Sequence, residues 1–345
     1  MQSAEKLWRW PLWALAIFSQ AKSFRANPVI GSQLLNRCGL HVARLCMSHF
    51  IADLRRTLTG LGLSAADKTT LARDGYIVIR NFLPEETFQR LKQEVASCRG
   101  TWRECIQGDT LTQRVLLDET ARNDMPACTS LIRSARLLGL MRYTAATFSY
   151  PLYFIQRIQN RVRPRQTPDP QRTLHSDTFH PTVKCWLFLC DVDSRNGPFT
   201  YATGSHRLTW GRVKWEYHRS CTARTLNDGY SEKGSLRAEP DDLAEMGFAA
   251  PAGLSVPANT LVVANTHGFH CRGGADPFTE RVEIYGSLRT NPFNPLPGLD
   301  LGLLRRLKYR LVNRYFEYQD RRAAERRVRA TWHRIDPSTG EQTES

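Results

Sequence analysis

Short apolar runs bounded by Gly, Pro, Asn or Asp recur through the middle of this chain. They read as strands at residues 75–82, 153–159, 173–177, 183–192, 199–202, 260–264 and 282–288. Each run is only a few residues long, as expected where antiparallel strands are joined by turns rather than by crossover helices. Residues 84–95 break the pattern: Pro84-Glu-Glu opens a helix, because Pro tolerates the first turn and acids favour it. Helix and loop are expected from there to about Thr147. The predicted fold is mainly β with surrounding helices, a double-stranded β-helix (jelly roll, cupin-like). Lys184, Trp186 and Phe188 share one face of their strand.

The flanks have a different rhythm. From Ser32 to Leu58, Leu35, Cys38, Val42, Leu45 and Cys46 recur at helical spacing among Arg37, Arg44, Arg55 and Arg56. Such a basic amphipathic helix docks on the chain's own core or lies on an anionic membrane. Trp8 to Phe18 is too short to span a bilayer, which takes about 20 apolar residues. It reads as an interfacial or packing segment, although Ser19-Gln-Ala21 after it imitates a signal-peptide cleavage site. Trp210 to Pro251 is long, polar and rich in turn residues, either a substrate-covering lid with Trp210, Trp215 and Tyr217 as contacts or a plain surface insertion. Beyond a Pro-rich stretch at 290–298, Leu304, Leu307, Leu311 and Tyr315 form one helical stripe among arginines. The expected division is 1–64 as a basic N-terminal extension, 65–295 as the jelly-roll domain and 296–345 as a basic helical C-terminal extension.

Composition narrows this only a little. With 345 residues, 41% hydrophobic and 23% charged, the chain is an ordinary globular one. Nine cysteines without a C-x-x-C pair read as reduced thiols, which points to the cytoplasm, with peripheral membrane contact through the flanks. The net charge of +15 raises the question of nucleic acid, since Lys and Arg neutralise phosphates. No reader motif, internal repeat or glycine-rich phosphate loop supports that partner. Nothing in the sequence indicates an oligomeric state.

The chemistry concentrates in His175-Ser-Asp177 and a distant histidine. In an extended segment residues i and i+2 face the same way, so His175 and Asp177 can hold one metal ion together. Two histidines and one carboxylate on one face of a metal, with the other positions open, is the donor set of non-haem Fe(II) oxygenases. His270 supplies the third ligand in this reading, in preference to His267. A turn at Gly273, Gly274, Asp276 and Pro277 follows it, and the next strand carries Arg281 back towards the metal. The guanidinium fork of Arg281 suits the far carboxylate of a dicarboxylic acid, or else pairs with Glu283 on its own strand face; Arg289 is the reserve candidate. His180, His206 and His267 read as structural.

These residues, in this order, resemble the phytanoyl-CoA dioxygenase family of Fe(II)/2-oxoglutarate oxygenases. Asn196-Gly-Pro-Phe-Thr-Tyr-Ala-Thr-Gly-Ser-His206 is similar to the family's NGPL…PGSH segment, and Asp74 to Leu83 to its entry strand. The resemblance covers about residues 65–295. It implies Fe(II) held by His175, Asp177 and His270, 2-oxoglutarate clamped by Arg281 with Trp186 beside it, and O2 as second co-substrate. The implied reaction is hydroxylation of a C–H in a small-molecule or lipid-like substrate. A halogenase of this fold has a small residue at the carboxylate position, and Asp177 argues against that. Cys271-Arg272 departs from the small polar residues usual after the distal His, and Ala202-Thr203 replaces Val-Pro. The alternative is a jelly roll that no longer turns over, a binding module attached to an anionic membrane or polymer by its basic flanks.

Overall fold

The alternating runs pair into two antiparallel sheets in the computed structural model, which describes residues 9–335. The larger has strand order β1-β8-β5-β10-β4-β3-β2-β11. It contains β1 (Tyr76–Ile79), β2 (Trp102–Gln107), β3 (Thr110–Leu116), β4 (Leu152–Gln159), β5 (Val183–Phe188), β8 (Thr260–Asn265), β10 (Glu280–Leu288) and β11 (His333–Arg334). The smaller, β7-β6-β9, joins β6 (Phe199–Tyr201) to β7 (Ala252–Gly253) and β9 (His270–Arg272). The chain passes from one sheet to the other and back, which makes the jelly roll.

Register decides what meets at its centre. Trp186 pairs with Val262 on one side and Tyr285 on the other, and Tyr285 pairs in turn with Phe154. Because strand side chains alternate, Lys184, Trp186 and Phe188 share this face with Arg281, Glu283 and Tyr285. The small sheet closes over it: the rings of Phe199 and Trp186 lie 4.4 Å apart. On the opposite face Tyr153, Ile155, Cys185, Leu187, Leu261, Val263 and Ile284 are at most 1% exposed. That face is backed by a helix at Ala135–Ala145, where Tyr153 reaches Met141. Each fully buried Leu or Ile there contributes about 1.5–3 kcal/mol.

Several expectations change. The β2–β3 hairpin occupies part of the segment read as helix and loop; Arg103 and Arg114 on one face and Glu104 and Gln113 on the other hide its alternation. Residues 173–177 form single-residue bridges rather than a strand, because His175 pairs with Arg237 on one side and His270 on the other. The strand expected to reach Val192 ends at Phe188.

The N-terminal flank is built from α1 (Trp10–Leu15), α2 (Gln33–Arg37) and α3 (Leu40–Thr59). The inward face of α3 is His41, Arg44, Leu45, Ser48, Ala52, Arg55 and Thr59; of the expected apolar stripe Leu45 is buried there and Val42 half-buried, whereas Cys46, and Leu35 and Cys38 before the helix, are exposed. Arginine turns inward because backbone carbonyls await it. Arg44 donates to the carbonyls of Ile17, Ser19 and Ala21, and Arg55 to those of Asn291 and Asn294. Residues 210–251 are likewise mostly ordered structure, with α4 (Trp210–Thr222) and α5 (Pro240–Glu245). Arg212 and Glu216 of α4 form a buried pair that takes His41 of α3 as its third member. Trp215 packs on Phe269, Tyr217 donates to the Arg37 carbonyl, and Trp210 is 81% exposed. The insertion and the N-terminal flank thus form one helical cap. At the other end of the chain lies α6 (Gly302–Glu325). No helix among the described residues is long and apolar enough to cross a membrane, and all nine cysteines are free.

Candidate metal centre

His175 and His270 are cross-strand partners. Each donates its backbone N–H to the other's carbonyl, at 3.0 and 2.9 Å, which sets their rings side by side. Asp177 is anchored by its own N–H on the Thr266 carbonyl, and Ser176 between them turns away to donate to the His267 carbonyl. The i, i+2 alternation therefore holds even without a continuous ladder. The two Nε2 atoms each lie 3.8 Å from Asp177 Oδ1. Two donors sharing one ion at ~2.1 Å each lie at most ~4.2 Å apart, so each histidine and the carboxylate can share an ion. Among the described residues this is the one group of three or more His, Cys, Asp or Glu side chains close enough to hold a metal.

The protonation pattern suits a cation. His175 Nδ1 lies 2.7 Å from the Thr173 carbonyl and His270 Nδ1 2.9 Å from the Gly268 carbonyl. A carbonyl only accepts, so both Nδ1 atoms carry the proton and both Nε2 lone pairs are free. Burial, and then the neighbouring His270, hold His175 well below the ordinary histidine range. Burial lowers His270 to about 4 against the pull of Asp177. Burial alone would raise the Asp177 carboxyl, but Lys184 and the two histidines hold it well below the ordinary carboxylate range. Two neutral imidazoles and one carboxylate are the state in which these groups bind metal. His270 Nε2 is buried without a hydrogen-bond partner, an expensive arrangement that a bound ion would relieve.

Of the remaining histidines none joins the cluster. His267 faces His49, with ring centroids 4.6 Å apart, and directs Nδ1 at the Thr178 carbonyl. His180 directs Nδ1 at the Pro181 carbonyl, and His206 is buried beside Gly75. Trp186 lies next along the face from Lys184 and reaches the centre through Phe199, whose ring is 5.8 Å from that of His270.

Arg281 is on the same inner face, 4% exposed, and its pairing is the one the sequence left open. Its Nε sits 2.8 Å from Glu283 Oε2, and its NH1 donates to the Gly197 carbonyl. The contact with Glu283 is close but poorly aligned, for neither atom has a directed hydrogen-bond partner. Glu283 also accepts from Gln156, which accepts from Arg114 at 2.6 Å. Arg272, the departure from the family pattern, is tied to Asp169 at 2.5 Å. Three arginines thus stand against two carboxylates, and Arg114 meets no carboxylate among the described residues. This arrangement can accept one further carboxylate without leaving a negative charge unbalanced.

Two residues at the centre were not assigned a role from sequence. Lys184 is 2.7 Å from Asp177 Oδ2; its place on the Trp186 face was its only signal. Lys22 donates to the Asp177 backbone carbonyl, and burial, followed by repulsion from Arg289, lowers it to about 8. It lies far away in sequence, in a segment without periodicity.

A family profile described as phytanoyl-CoA dioxygenase matches residues 71–242. No curated protein sequence matches the chain. Among solved structures it is similar to the non-haem α-ketoglutarate-dependent epimerase SnoN from nogalamycin biosynthesis, at 16% identity and a TM-score of 0.43, covering 65% of this chain and 82% of that one. It is also similar to HygX from Streptomyces hygroscopicus with nickel, 2-oxoglutarate and hygromycin B bound, at 16% identity and a TM-score of 0.40, covering 65% and 86%. The α-ketoglutarate-dependent carbocyclase SnoK of nogalamycin biosynthesis stands at 19% identity and a TM-score of 0.40, covering 66% and 84%.

Proposed function

The chain belongs to the phytanoyl-CoA dioxygenase family and is a 2-oxoglutarate-dependent oxygenase that uses Fe(II) and O2; from that premise we propose that its jelly-roll unit, residues 65–295, hydroxylates a C–H of a small-molecule or lipid-like substrate. The observation that carries the reading is the cluster of His175, Asp177 and His270 with both Nε2 atoms free. When bound, Fe(II) with 2-oxoglutarate and O2 supplies the oxidising power: one oxygen atom enters the substrate C–H and the other the co-substrate, which leaves as succinate and CO2.

The chain's own residues hold and shield this chemistry. His175, Asp177 and His270 would hold the ion and leave its other positions to exogenous ligands. The Thr173 and Gly268 carbonyls fix the imidazole tautomers. Arg281 would neutralise the far carboxylate of 2-oxoglutarate at the arginine-rich end of the inner face, with the Trp186 and Phe199 rings between it and the metal cluster. Their rings also exclude water, which strengthens every charge interaction there. An anaerobic titration of the Fe(II)-loaded protein with 2-oxoglutarate tests the reading: a visible charge-transfer band is expected, and its absence at saturating co-substrate counts against it.

Peripheral contact with a membrane is a second element of the proposal. On the outward side of α3, Met47, Phe50, Leu54 and Leu58 are 49–60% exposed. With Arg44 and Arg55 turned inward, such contact rests on apolar surface more than on charge. Co-sedimentation with lipid vesicles should then survive high salt, and failure to sediment at any salt removes this element.

A further inference from the structure

The candidate metal centre is most exposed on the side of Asp177. His175 and His270 side chains are 3% and 5% exposed, whereas Asp177 keeps 13% and Lys184 beside it 22%. Cations from separate elements lie near that side, Lys184 and Lys22 in contact with Asp177 and Arg289 in the neighbourhood of Lys22. Lys184 comes from β5, Arg289 is the exposed residue that follows β10, and Lys22 comes from the strap that joins α1 to α2. Buried Arg237, stacked on Tyr230, stands behind them. Arg289, Lys184 and Arg237 all act electrostatically on Lys22, and Asp177 is the one anion among its main charged neighbours. Neither Lys22 nor Arg289 forms an ion pair among the described residues. Once Asp177 serves a divalent cation, the carboxylate that now offsets this group is shared with two further charges.

The position of Lys22 is fixed from several directions. Arg44 holds the carbonyls of Ile17, Ser19 and Ala21, just before it. Phe24, just after, is 1% exposed in the core of the helical cap. The Lys22 carbonyl rests on Gly234, at φ +85°, where a Cβ would stand 2.2 Å from that oxygen. A long flexible side chain is thus delivered to the backbone of a metal-binding residue by a segment outside the family match at 71–242.

We propose that the N-terminal strap completes the active site, and that Lys22, with Lys184 and Arg289, binds an anionic group of the substrate, a carboxylate or a phosphate. The proposal rests on the oxygenase reading above and names the substrate class for it. In that reading the two carboxylates of 2-oxoglutarate would be met elsewhere, one at the metal and one at Arg281, which leaves the charge of these cations to the substrate. Ammonium and guanidinium groups beside a partly buried opening make charge-assisted hydrogen bonds that bulk water does not match. Lys22 is a specificity residue in this account, since it positions the substrate's anion relative to the metal.

The test is calorimetry on the full-length protein loaded with Mn(II) and 2-oxoglutarate, titrated with inorganic phosphate and separately with butanoate. At least one probe should bind, and Lys22→Gln should weaken it at least tenfold while leaving 2-oxoglutarate affinity within twofold. Arg289→Gln, at an exposed position off the strap, should weaken it similarly, so that a disturbed strap cannot account for both results. The proposal is overturned if neither probe binds the wild-type protein, if both variants keep wild-type affinity, or if they weaken 2-oxoglutarate instead. If the wild-type protein does not bind 2-oxoglutarate in the same experiment, the oxygenase reading itself fails.

Discussion

At the residue scale, one carboxylate and one histidine separate a metal site from a buried polar cluster. Asp177→Ala should abolish Fe(II)-dependent turnover while the fold survives, because Asp177 sits at the open edge of the centre and its backbone bond to Thr266 is retained. His270→Ala should do the same, whereas His267→Ala should cost stability and leave metal affinity within a few-fold, as its ring faces His49. Metal titration by calorimetry distinguishes the two, and reversed effects would move the ligand to His267. Arg281→Ala should raise the KM for 2-oxoglutarate by about 10–100-fold, the loss of a charge-assisted contact worth ~1.5–3 kcal/mol. An unchanged KM would leave Arg281 as a partner of Glu283 alone. The clustering of the three side chains was legible in the sequence because spacing puts His175 and Asp177 on one side and a turn brings the chain back after His270. Lys22 was not legible: its contact with the Asp177 carbonyl depends on where a distant loop lands, and no periodicity records that.

Elements were read well where burial is one-sided and poorly where polar groups point inward. The strands at 153–159 and 260–264 alternate or run apolar, and they fold as expected. The β2–β3 hairpin was missed because Arg103, Glu104, Gln113 and Arg114 occupy both faces. Helix α3 defeats the amphipathic rule more directly, since Arg44 and Arg55 face inward at 3% exposure each and apolar residues face out. A buried guanidinium is tolerable only when its donors are met, and those of Arg44 reach three carbonyls of the strap. Arg44→Ala should therefore destabilise the protein by about 3 kcal/mol, each bond to a charged group contributing ~1.5–3 kcal/mol and relaxation recovering part. Urea unfolding measures the loss. A change under 1 kcal/mol would mean that the strap holds without it.

At the scale of the whole molecule, buried neutral histidines tie stability to pH. Burial lowers His180 and His206 each to about 3, and holds His49 and His267 well below the ordinary range. A depressed histidine binds fewer protons folded than unfolded, so stability is full above the unfolded pKa of ~6.5 and falls as pH drops towards the folded value. At pH 5 each such group costs about 2 kcal/mol. Urea midpoints should be level above pH 7 and decline steeply between pH 6.5 and 4; a level profile down to pH 5 would mean these histidines are solvated. The jelly roll itself, with its inner face turned towards the His175, Asp177 and His270 cluster, was accessible from strand spacing, whereas the helical cap of strap, α3 and α4 was not, because it is assembled from segments far apart in the chain. The most direct test of the account is succinate formation by the purified, Fe(II)-loaded protein supplied with 2-oxoglutarate and O2. The account predicts succinate above background even without substrate, lost on chelation and in Asp177→Ala; equal succinate from wild type and Asp177→Ala would contradict it.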